Sequence, residues 1–123
     1  MTSTRFFAVT AAMEVGAGLT LMVAPAVVIR LLFGSSEIET GVAMARLAGA
    51  ALVSIGTACW RARDDGGSAA SRGLQSGLLI YNATVVAFVL SGTFCPLGPL
   101  VWAVVLLHGA MALWSLWLLR ASR

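Results

Sequence analysis

Apolar positions fall into four long runs, at about residues 6–24, 42–60, 73–91 and 100–119, separated by short polar breaks. Each run is about 19 to 20 residues, the length an α-helix needs to cross a hydrocarbon core of roughly 30 Å. A soluble domain has no reason to repeat that length four times. The pattern predicts an all-α integral membrane protein: a single domain over residues 1–123, folded as a four-transmembrane-helix bundle.

The breaks carry the turn chemistry. Pro25 suits the first turn of a helix, so residues 25–33 read either as a short helix in the membrane interface or as a kinked continuation of the first span. Gly34-Ser35-Ser36 ends that segment, and Ser36 with Glu39 forms a candidate capping box into the second span. The stretch Arg61 to Arg72 reads as a solvated, flexible connection. Phe94-Cys95-Pro96-Leu97-Gly98-Pro99 reads as a tight turn.

Small residues suggest where helices approach closely. In the first span Ala8, Ala12, Gly16, Thr20 and Ala24 recur at every fourth position. In the second, Ala50, Ser54 and Ala58 lie below Arg46, with Ala45 and Gly49 on the adjoining row. Gly73 and Gly77 form a GxxxG. Trp102, Trp114 and Trp117 sit towards the ends of the fourth span, as interfacial anchors do. These patterns predict that spans one and two form the packed centre and that span four faces lipid.

Composition agrees with the membrane reading: 59% of residues are hydrophobic and 11% charged, against about 25% charged in a typical soluble domain. The formal charge of +3 comes from arginine alone. In a soluble chain it would suggest nucleic acid; here it reports orientation. With the N-terminus inside, Arg5, Arg61, Arg63, Arg72, Arg120 and Arg123 are cytoplasmic, and Arg30 and Arg46 are not. That bias predicts an N-in, C-in protein of a bacterial-type inner membrane, its partners the bilayer itself and a second copy or a larger membrane complex. Residues 6–24 are read as a retained span, because Glu14 interrupts the run and Pro25 fits a cleavage site poorly. Cys59 and Cys95 fall at opposite faces, so Cys59 is read as packing and Cys95 as a free or intersubunit thiol.

No phosphate loop, CxxC or catalytic spacing is present, and the chain reads as neither an enzyme nor a cofactor protein. The candidate chemistry lies in polar residues at membrane depth. Glu14, Asn82 and His108 each fall about eight or nine residues into a span, roughly 12 Å along the helix, near the midplane. Tyr81 adjoins Asn82, and Arg46 lies shallower. An ionisable group at that depth costs about 2.5 to 3.5 kcal/mol on insertion scales, so Glu14 faces the interior or water. It is either a proton-titrating carboxylate or one neutralised by Arg46 or hydrogen-bonded to Asn82 or Tyr81. His108 reads as a hydrogen-bonded interior histidine rather than a metal or haem ligand, and Asn82 as glue between helices.

The run Ala12-Met13-Glu14-Val15-Gly16 resembles the first helix of the small multidrug resistance transporters. Those are dimeric four-helix proteins in which a carboxylate exchanges protons for cationic drugs; the resemblance implies that role for Glu14. Glu14, Pro25 and Arg46-Leu47-Ala48-Gly49 together resemble the DoxX-like four-helix proteins along most of the chain. Such proteins are mostly of unknown activity, some being described as accessory subunits of membrane redox systems, so the likeness implies an architecture and little chemistry. Taken together, the residues favour a non-catalytic accessory or scaffold subunit with a buried polar centre. The alternative is a proton-coupled transporter of lipophilic or cationic molecules that works through Glu14.

Overall fold

A computed structural model describes residues 2–34, 39–92 and 98–121. It contains five helices: α1 (Thr2–Val23), α2 (Pro25–Phe33), α3 (Glu39–Ala62), α4 (Ala69–Leu90) and α5 (Val101–Ala121). Four of them, α1, α3, α4 and α5, are long and apolar enough to cross a membrane. They alternate in direction, so the start of α1 and the end of α5 lie at one end of the bundle and α2 at the other.

The residues between spans explain where each helix stops. Ala24, at φ −130° and ψ 52°, breaks the chain between α1 and α2. Pro25 then occupies the first turn of α2, where no amide is needed. The segment is therefore a separate helix and not a kinked first span. Gly34 ends α2 in the left-handed region at φ 69°, its amide donating to the Arg30 carbonyl at 2.9 Å. Two carbonyls in the last turn of α2 are taken by the turn before α5. Gly98 donates to Leu32 at 2.7 Å and Leu100 to Leu31 at 3.2 Å. Gly98 presses so closely on the Leu31 carbonyl that no Cβ would fit.

The connection between α3 and α4 is shorter than the sequence suggests. Arg61 and Ala62 still belong to α3, and Ala69 to Arg72 form the first turn of α4. Ser68 caps α4, accepting from the Ser71 amide at 3.0 Å, and its own hydroxyl donates to Asp65 at 2.7 Å. Arg63 stacks on the Trp60 ring at 3.9 Å and pairs with Asp64 at 3.4 Å. Arg72 donates back to the Gly67 carbonyl. The Ser36 cap and Cys95 lie outside the described residues.

Helices pair as α1 with α3 and α4 with α5, and α1 also touches α5. The α1–α3 crossing is built on glycine: a Cβ on Gly18 would lie 2.6 Å from the Gly49 carbonyl, and one on Gly49 2.6 Å from the Gly18 carbonyl. Gly56 faces Ala11 and Val15 in the same way. The packed row of α1 is therefore Ala11, Val15 and Gly18, and the expected row through Ala12, Gly16 and Thr20 faces outward. Ala50, Ser54 and Ala58 also point outward, while Gly49 on the adjoining row makes the contact. Gly73 and Gly77 have open space where a Cβ would be.

The central helix is α1. Met44 and Leu47 of α3 are each 64% exposed, so α3 packs on α1 through its glycine face and turns its other face outward. A hydrophobic cluster of Phe6, Phe7, Ala11, Cys59, Leu78, Met111 and Leu118 closes the end that carries both termini. Trp114 belongs to this cluster, edge-on to Phe6 at 5.4 Å. It is a packing residue and not an anchor, whereas Trp102 and Trp117 do face outward.

Candidate functional site

The buried face of α4 is polar for much of its length: Ser71, Gln75 and Asn82 are all buried, with Leu78 among them. The facing helix, α5, answers at two levels. Gln75 donates through Nε2 to the Ser115 carbonyl at 3.3 Å, and Ser115 donates through Oγ to the Gln75 carbonyl at 3.0 Å. Two turns along, His108 Nδ1 meets Asn82 Oδ1 at 2.7 Å. Gln75 to Asn82 and His108 to Ser115 are the same seven-residue interval run in opposite directions, about 10.5 Å on each helix. Both clasps therefore share one antiparallel register.

The bond directions fix the histidine. Asn82 Nδ2 donates to the Leu78 carbonyl at 2.7 Å, so Oδ1 is the amide's acceptor. Nδ1 of His108 must then carry the proton, which leaves Nε2 as the basic nitrogen. The Tyr81 ring meets the imidazole edge-on, with centroids 5.5 Å apart and planes at 85°.

Glu14, on α1, takes no part in these bonds. It is 6% exposed, and among the described residues no hydrogen bond or ion pair reaches it. Glu14 shares its face of α1 with Ala11 and Gly18, the residues that pack on α3.

Arg46 is not its partner. It is exposed on α3 and no ion pair joins it to Glu14. Gly18 faces Gly49, so Arg46 comes level with about residue 21 of α1, roughly 10 Å along the axis from Glu14. Side chains lean towards the N-terminus of their own helix, and these helices are antiparallel, so the two lean apart. Neither Asn82 nor Tyr81 hydrogen-bonds the carboxylate.

Of the five sequence candidates, the structure brings together Tyr81, Asn82 and His108, buries Glu14 on α1 without a bond to them, and leaves Arg46 apart. The sequence reading missed Gln75 and Ser115. The available signal was their seven-residue offset from Asn82 and His108. No group of three His, Cys, Asp or Glu side chains converges among the described residues.

Comparison with protein-family profiles, with functionally described proteins and with solved structures finds no match to this chain.

Proposed function

We propose that this is a small multi-pass protein of a bacterial-type inner membrane in which Glu14 exchanges a proton for a lipophilic organic cation. One observation carries the reading: Glu14 is 6% exposed as a residue, and among the described residues its carboxylate has neither a hydrogen bond nor a counter-charge. Polar groups at membrane depth that serve packing are bonded, as Asn82, His108, Gln75 and Ser115 are. Glu14 is not, and an acid held apart from the packing bonds is free to bind and release a charge. An N-in, C-in orientation is part of the proposal. Arg5, Arg61, Arg63, Arg72 and Arg120 support it, lying at the end that carries both termini.

The test is calorimetric titration of the purified protein in mild detergent with tetraphenylphosphonium, in two buffers of different ionisation heat. The expected result is saturable binding with about one proton released per cation, abolished in Glu14→Gln. Equal binding by wild type and Glu14→Gln, or none by either, refutes it.

A second reading, an accessory or scaffold subunit in a homo-oligomer or larger membrane complex, draws on the two α4–α5 clasps and on the exposed apolar face of α3. It expects Glu14→Gln to alter stability and nothing else.

A further inference from the structure

The two ends of the bundle are built differently. At the end with both termini, aromatic and aliphatic side chains fill the interior. Towards the α2 end the described residues leave an apolar cleft, open on one side, of about 470 Å³ between α2, α4 and α5. Its volume is within the range of roughly 300–1,000 Å³ found for small-molecule sites.

Leu32 of α2 roofs it, Val85 and Phe88 of α4 and Val101 and Val104 of α5 form its walls, and the Tyr81 ring lies at its deepest level. Although Tyr81 and Thr84 contribute to the lining, almost no polar surface faces the space. Both boundaries are held in place. The roof is tied by backbone bonds from Gly98 to Leu32 and from Leu100 to Leu31, and the Tyr81 ring is braced by the edge of His108.

Water does not fill such a space, because it needs two to four polar partners and finds none. Left empty, it would forfeit the dispersion contacts of every group that lines it. The helices that enclose it are of membrane-spanning length and composition, so the surrounding medium is hydrocarbon.

We propose that this cavity is a binding site for a single hydrocarbon chain, entering from the bilayer beneath α2. The proposal rests on the membrane reading and is independent of what Glu14 binds. The same chemistry is offered by the acyl chain of a glycerolipid and by the tail of an isoprenoid lipid.

Two measurements on the full chain test it. A fatty acid carrying a diazirine on its chain is photocrosslinked to the detergent-solubilised protein, and the labelled residues are mapped by mass spectrometry. Labelling is expected to concentrate on residues facing the cavity and to fall about tenfold in Val104→Phe, which fills the space, and in Gly98→Ala, which displaces the roof. It should persist in Glu14→Gln, so loss of cation exchange would not remove it. Should Val104→Phe not fold, Thr84→Leu narrows the same space from α4. Labelling spread evenly over the outward faces of α1 and α3 would overturn the proposal, as would yields unchanged by these substitutions in folded protein.

Lipid extraction from the washed protein separates the two sources. About one glycerolipid per chain identifies an acyl occupant, and about one isoprenoid per chain identifies the other. Absence of both, together with diffuse labelling, leaves no site.

Discussion

Replacing Gly18 with alanine tests the α1–α3 crossing most directly. The new Cβ would sit 2.6 Å from the Gly49 carbonyl oxygen, 2.8 Å from Val53 Cγ2 and 2.9 Å from the Val53 amide nitrogen. Two of those three atoms are backbone and cannot swing aside. Ordinary contact begins at 3.4 Å, so the helices must part locally by about 0.8 Å, the difference between 3.4 and 2.6. A radial gap of that size forfeits roughly a quarter to a half of the dispersion attraction across the contact. Overpacking of this kind costs about 1–3 kcal/mol. The gain in helix propensity from glycine to alanine, about 1 kcal/mol, offsets part of it. The expected net loss is about 1 kcal/mol, within a range of about 0–2, which is about a 5-fold shift in the folding equilibrium. Gly16→Ala is the control, two residues away on the outward face with nothing within 4 Å of its Cβ. It should be neutral or stabilising by up to about 1 kcal/mol. Reversible unfolding of both variants in mixed micelles, titrated with sodium dodecyl sulfate and followed by circular dichroism, measures the difference. If Gly18→Ala proves no more damaging than Gly16→Ala, the crossing is not where the structure puts it.

Three further expectations follow from the site and the turns. A double-mutant cycle between Asn82→Ala and His108→Ala, read by the same unfolding titration, should give a coupling of about 0.6–1.7 kcal/mol, the range for interhelical hydrogen bonds in membranes; additive losses would mean that the clasp is absent. Nitrogen-15 NMR of histidine-labelled protein should show neutral His108 protonated at Nδ1, and the Nε2 tautomer would contradict the bond to Asn82 Oδ1. Gly34→Ala should destabilise by about 1–2 kcal/mol because its φ of 69° is left-handed, with Gly34→Asn milder; equal effects would show that the α2 cap does not depend on that conformation.

The spans were legible because hydropathy and length alone define them, and Pro25 and Gly34 because each has few uses in a helical chain. The packed row of α1 was not, although the information was present. Every helix rich in small residues offers several rows, and the longest row through Ala12 and Gly16 looked best. Glu14 decides between them. An acid at membrane depth must face inward, and Ala11 and Gly18 share its face, whereas Gly16, two residues on, points nearly the opposite way. The chosen row and the inward carboxylate were incompatible. Gln75 and Ser115 escaped notice for another reason: each is unremarkable alone, and their bond exists only once α4 and α5 have a register. The separation of Glu14 from Arg46 likewise depends on which glycines face each other, a property of two helices together.

The bonds that hold the end of α2 also impose an order in time. The Leu31 and Leu32 carbonyls leave the ribosome with the first third of the chain, but their donors, Gly98 and Leu100, emerge only as the last span begins. While α3 and α4 are being made, the first half of the protein carries two unmatched acceptors at the tip of a short apolar helix. Closure of that end therefore has to wait until the chain beyond α4 has been made. A chain released after α4 would keep its α1–α3 pair and still present that open tip, a ready mark by which quality control could tell an unfinished copy from a finished one.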